Sequence, residues 1–370
     1  NFINVEINSK SYKTMVDADG NKYLYAEYEY YNDETYGKFT VKKTGPSVSG
    51  FKSESVAQVP ELASKLPDII PLSVMENPFQ YEDVRLGNVV FELYAKEDIV
   101  TQDGQGTTWF VAGDLVAIIT TEKGAEFTSD CNGICKADVD ENGDVTLNVP
   151  LGAYEIKEKQ TVYGYVLPKM NTWDLNFVWK SQDDDYVLDI TENTTDGVLE
   201  VKNDLVSTDI TVLKQDSKTC KPVPNTRFGF YTKDNIYDMD GNVILEADSK
   251  ITTVTTGADG TAKIPFSVPV MSEGYGEVEA PLNSGDYYFL EESVSDSYYI
   301  SEPTFVHLEY ENQETATVYA KAIVSDEQTE VEVDKLMIAS SVEIPDCHLK
   351  ISDTDGNEIV SWITGDKDSI

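Results

Sequence analysis

Histidine is almost missing from this 370-residue chain, with His307 and His348 the only two. Histidine-based triads and histidine metal sites are therefore nearly excluded, and each histidine is expected as an ordinary strand residue. Basic residues are scarce as well. The 28 Lys and Arg face 67 Asp and Glu, and the formal net charge of −39 argues against nucleic acid and anionic membrane surfaces as partners. It favours an exposed, self-repelling surface. No apolar run is long enough to span a membrane, no signal peptide or sorting signal is visible, and no long stretch has helical periodicity. What is abundant is tyrosine, 22 residues, with frequent Val, Ile and Thr, which together point to an all-β protein. The length suits two or three domains.

Three times a lysine closes a short alternating apolar run, on the same side of the strand as the apolar residues. The runs are Phe39, Val41, Lys43, then Ile210, Val212, Lys214, then Val331, Val333, Lys335. Strand side chains alternate faces with period two, so each lysine is expected to point into a core. A buried ammonium is costly without a partner. Inward acids supply one: Tyr154, Ile156 and Glu158 share a face, as do Tyr287, Phe289 and Glu291. Asparagine recurs too, with Asn32 eleven residues before Lys43 and Asn203 eleven residues before Lys214.

Lysine, glutamate and asparagine on inward faces permit one particular reaction. Burial pushes the lysine towards its neutral amine and the glutamate towards its protonated acid. The amine can attack the asparagine side-chain carbonyl while the acid polarises it, moves the proton and lets ammonia leave. The product is an amide crosslink between the first and last strands of a domain, made without cofactor or metal. The expected set is Lys43, Asn203 and Glu158, with Glu158 as acid/base. The alternative is a buried Lys–Glu salt bridge beside a hydrogen-bonded asparagine.

The stretches Val89–Ile99 and Leu151–Glu158 resemble collagen-adhesin B-type domains, also called SpaA-like or prealbumin-like domains, of Gram-positive surface proteins and pili. Glu343–Ile351, with Asp355-Gly356-Asn357 and Trp362, resembles the opening of another such domain. The resemblance implies tandem immunoglobulin-like or prealbumin-like β-sandwiches in an elongated array. It implies a stalk role at the bacterial cell surface, self-catalysed isopeptide bonds, and no turnover enzyme. Partners would be neighbouring domains of a longer chain, other pilus subunits or a host surface ligand.

On this basis residues 37–206 and 207–328 are expected as two complete domains. Residues 1–36 are expected as closing strands of a preceding domain, and 329–370 as the opening of a further one. The chain then reads as an internal segment of a longer surface protein, anchored to the cell wall through a region outside it. Asn32 and Lys335 would find their isopeptide partners outside the chain. The first domain is longer than the roughly 100 residues such a sandwich needs, and the excess falls at 44–88, with a possible short helix around Glu61 to Leu66. That insertion is a candidate ligand site, neighbour contact or cover over a sheet edge. An adhesin binding host glycan or matrix protein through it is the alternative function, and a glycan-active enzyme using paired carboxylates is a further one.

In the second domain no asparagine lies eleven residues before Lys335, where Val324 stands. Asp326 has the parity of an inward acceptor, alternating with Ala322 and Val324. Some domains of the family use aspartate, so the second set is Lys214, Glu291 and Asp326, with a simple Lys214–Glu291 pair as the alternative. Cys131 and Cys135 flank an Asn-Gly turn that could bring them within disulfide reach, two free thiols being the alternative. Cys220 and Cys347 are expected unpaired. The Asp-rich segments at 17–21, 138–144, 238–242 and 353–357 imitate calcium loops but fit tight turns better. Leu167-Pro168-Lys169-Met170-Asn171 is a faint match to a sortase-joined lysine motif, but it follows Tyr163-Gly164-Tyr165, where the resemblance implies an ordinary strand.

Overall fold

A single long strand, Tyr36–Phe51, carries the alternation that singles out Lys43. It belongs to a computed structural model that describes residues 13–25, 35–52, 77–178, 187–190, 194–195, 197–270, 283–294, 298–329, 333, 335–342 and 344–365. Asn32 and the possible helix at 61–66 lie outside the described residues. The chain divides into two compact units: residues 1–43, 87–160 and 169–201, and residues 44–86, 161–168 and 202–370.

The first unit is built on two sheets. One runs in the order Lys136–Val139, Val145–Pro150, Tyr36–Phe51, Val198–Lys202, Thr194–Thr195. The other runs Val187–Ile190, Thr172–Val178, Gly152–Gln160, Val90–Ala95, Leu115–Thr120, Gly124–Phe127. Period-two alternation gives each sheet a single apolar face. Phe39, Val41, Leu147 and Leu199 come from the first, and Phe91, Leu93, Tyr154, Ile156 and Phe177 from the second, all buried. Rings interlock in this core, with Phe39 5.9 Å from Phe177 and Tyr154 6.0 Å from Phe177 between centroids. Gly37 is required here, since a Cβ would fall 2.2 Å from the Phe177 ring. The hydrogen bonds from Thr40 N–H to Gly197 O and from Asn203 N–H to Thr44 O make the first and last strands parallel neighbours.

The second unit repeats the plan. Ser207–Asp216 lies between Thr261–Lys263 and Thr317–Asp326, and runs parallel to the latter from Ser207 opposite Thr317 to Asp216 opposite Asp326. A four-stranded sheet of Lys250–Thr255, Arg227–Thr232, Asp286–Ser293 and Thr304–His307 supplies the other layer. Ile210, Val212, Phe228, Phe230, Tyr287, Phe289, Ala322 and Val324 form the core.

The region expected as an insertion is partly something else. Its first eight residues, 44–51, continue the long strand and pair antiparallel with Phe79–Arg85, and Val48 and Phe79 are buried in the second unit's core. Gly-Pro dipeptides commonly mark turns, yet Gly45-Pro46 sits within a strand. The strand Val198–Lys202 has ended by this point, so the ladder is one-sided and tolerates proline's missing N–H. Gly45 is needed because a Cβ there would lie 2.6 Å from the Tyr165 ring and 2.8 Å from Leu86.

Candidate functional site

Lys43 and Lys214 both lie buried where strand parity puts them. Lys43 and Glu158 have side chains with no solvent exposure, and Lys43 Nζ donates to Glu158 Oε2 at 3.1 Å. Desolvation dominates the lysine's titration. It draws the Lys43 pKa down to about 8, against a smaller upward pull from the Glu158 charge and hydrogen bond. About a tenth of the amine would then be neutral and nucleophilic at pH 7.

Asn203 is also fully buried. Its backbone N–H donates to the carbonyl of Thr44, the residue after Lys43, at 3.0 Å. Its Nδ2 donates to Thr161 Oγ1 at 2.6 Å. Thr161 was not legible as a site residue. It follows Glu158 by three positions, beyond a register shift in the strand pairing between Glu158 and Gln160, so simple parity does not reach it.

In the second unit Lys214, Glu291 and Asp326 are brought together in a buried cluster, with 0%, 4% and 3% exposure. Lys214 Nζ donates to Glu291 Oε2 at 3.0 Å and forms an ion pair with Asp326 Oδ2. Ser301 adds two hydrogen bonds to Glu291 Oε2, from its N–H and its Oγ, each at 2.9 Å. Among the described residues nothing donates a hydrogen bond to Glu291 Oε1 or Asp326 Oδ1. Desolvation pushes the Asp326 carboxyl pKa up; the Lys214 hydrogen bond opposes this, and the nearby Glu291 charge adds to it. Three ionisable side chains thus share one buried cluster, and condensing Lys214 with Asp326 would leave a neutral amide in place of two of them.

The remaining expected residues are placed as follows. Lys335 is exposed rather than inward. Cys131 and Cys135 form a disulfide with Cα atoms 5.5 Å apart, while Cys220 and Cys347 are free. The Asp-rich segments are Asx turns. Asp17, Asp140, Asp238 and Asp353 each accept backbone N–H groups two and four residues on. Among the described residues no group of three or more His, Cys, Asp or Glu could hold a metal ion. His307 Nδ1 lies 2.8 Å from Asp286 Oδ1 on a strand, and His348 opens the strand His348–Ser352. Leu167 N–H is bonded to Gln313 O at 2.9 Å.

Residues 208–323 match the SpaA prealbumin-like fold domain. No curated protein matches the chain. Among solved structures, the Bacillus anthracis TIE protein aligns at 17% identity and a TM-score of 0.43, covering 96% of this chain and 48% of that one. This chain thus spans about half the length of that protein. Shaft pilin SpaA from Lactobacillus rhamnosus GG aligns at 14% identity and a TM-score of 0.21, over 80% of this chain and 99% of the pilin. GBS52, the minor pilin of Streptococcus agalactiae, aligns at 14% identity and a TM-score of 0.23, over 80% of this chain and 97% of that one. Residues 208–323, which carry the parallel pairing of Ser207–Asp216 with Thr317–Asp326 and the buried Lys214, are thus similar to the SpaA prealbumin-like fold domain, within a chain whose described secondary structure is overwhelmingly β-strand.

Proposed function

We propose that the chain is a structural stalk segment of a Gram-positive surface or pilus-like protein, made of tandem domains at 37–206 and 207–328 and stiffened by two self-made isopeptide bonds. The buried Lys214–Glu291–Asp326 cluster is the observation that carries this reading. In the first domain the neutral Lys43 amine attacks Cγ of Asn203. The Nζ–Cγ bond forms, the Cγ–Nδ2 bond breaks, and Glu158 passes the proton released by the amine to the leaving nitrogen, which departs as ammonia. In the second, the neutral Lys214 amine attacks Cγ of the protonated Asp326 carboxyl: the Nζ–Cγ bond forms, a Cγ–O bond breaks, and Glu291 passes the amine's proton to the leaving oxygen, which departs as water. Each site acts once, on its own chain, and is not an enzyme in the turnover sense.

The parallel strand order gives the bonds a mechanical role. Tension entering at Ser207 and leaving beyond Asp326 would cross the backbone to Lys214 and then the amide, leaving residues 215–325 unloaded. Neighbouring domains of a longer chain and other pilus subunits are the partners this role implies, at the cell surface. Among the described residues no helix is long and apolar enough to cross a membrane. The burial of Val48 and Phe79 in a core favours the stalk over a ligand-binding insertion at 44–88. Peptide mapping of the digested protein tests the proposal. It should yield branched peptides joining Lys43 to Asn203 and Lys214 to Asp326, and linear peptides containing all four residues unmodified would refute it.

A further inference from the structure

The carboxamide of Asn203 does not hold itself in place. An amide nitrogen and oxygen are nearly the same size, so a half-turn of the side chain exchanges a donor for an acceptor at little steric cost. For the reaction proposed above only one orientation serves: the oxygen must face the acid that polarises it, and the nitrogen must lie where it can leave. That nitrogen donates to Thr161 Oγ1, at 2.6 Å, and both residues are buried.

Thr161 is itself clamped. Its backbone N–H donates to Gln313 Oε1 at 3.0 Å, and Leu167 N–H donates to Gln313 O at 2.9 Å. Between these two points Tyr163 Oη donates to Tyr310 O at 2.7 Å, and Tyr310 Oη donates back to Tyr165 O at 2.6 Å. The rings of Tyr163 and Tyr310 pack edge to face with centroids 4.6 Å apart. Segment 161–168 is thus tied along its length to residues 310–313 of the same compact unit.

We propose that Thr161 is a positioning residue for the first crosslink: its hydroxyl, held in place through Gln313, orients the Asn203 carboxamide for attack by Lys43. The inference rests on the crosslink reading. Thr161 forms no bond in the reaction and takes no proton from it. Its Oγ1 accepts from Nδ2 in the starting amide and keeps that nitrogen on the exit side as the C–N bond breaks.

The test follows newly synthesised full-length chain, quenched in denaturant at intervals and mapped for the two branched peptides. The second crosslink, Lys214 to Asp326, serves as an internal control for folding. Thr161→Val should slow formation of the Lys43–Asn203 peptide about tenfold, the effect of losing one hydrogen bond of about 1.4 kcal/mol, with the Lys214–Asp326 peptide unaffected. Thr161→Ser should restore the wild-type rate to within about twofold. Gln313→Ala should slow the first crosslink in the same selective way. Wild-type kinetics in Thr161→Val, equal slowing of both crosslinks, or failure of serine to rescue would each overturn the role. A wild-type chain that forms no Lys43–Asn203 peptide overturns the crosslink itself, and Thr161's role with it.

Discussion

Replacing Glu291 by glutamine removes the proposed acid/base of the second site while keeping its size and a hydrogen-bond acceptor for Lys214. The account expects this variant to fold but not to join Lys214 to Asp326. Closing a loop of this length should stabilise a domain by about 5 kcal/mol through the entropy of the unfolded chain, by analogy with a long disulfide loop. For a unit of this size that corresponds to a melting temperature lower by roughly 10–20 °C in the variant. Mechanical extension separates the cases more sharply. Unlocking the 111 residues between Lys214 and Asp326 releases about 390 Å of contour length at ~3.5 Å per residue. In single-molecule pulling, Glu291→Gln should show that additional extension and wild type should not. If wild type also extends by this length, or if the variant still forms the branched peptide, the reasoning fails.

The pH dependence of the first crosslink follows from the amine. Lys43 has a folded pKa of about 8 against an ordinary value of 10.5, so the neutral fraction should fall about tenfold per pH unit below 8. The rate of Lys43–Asn203 joining should fall with it and level off above pH 8. In Asn203→Ala, which cannot crosslink, the unfolded state binds more protons at Lys43 than the folded state between about pH 8 and 10.5. Stability of that variant should therefore rise with pH across this window, which denaturant titrations at several pH values will show. Asp326→Asn should expel ammonia where wild type expels water, so the two crosslinked proteins should be the same covalent molecule with the same mass; a difference equal to the substitution would mean that no bond forms. Thiol titration of denatured, unreduced protein should find two reactive groups, Cys220 and Cys347; four would rule out the Cys131–Cys135 bridge.

Period-two parity made the inward placement of the key side chains legible. Lys43, Glu158, Lys214, Glu291 and Asp326 all fall on inward faces because a strand repeats every second residue, and a lysine in line with core apolar residues requires a buried partner. Local rules were less informative where tertiary context decides. Gly45-Pro46 looks like the end of a strand, and only the one-sided ladder and the close approach of Tyr165 and Leu86 explain why the strand continues. Thr161 and Ser301 were invisible for a related reason. Both act through contacts made across turns and irregular backbone, at three and ten positions from their glutamates, and no common spacing relates them. Lys335 shows the limit of parity itself, because facing inward requires an opposing layer, and among the described residues it is exposed.

The most direct measurement is the intact mass of the purified, reduced wild-type chain under denaturing conditions. The account predicts a mass below that of the sequence by one ammonia and one water. A mass equal to that of the unmodified sequence would contradict it.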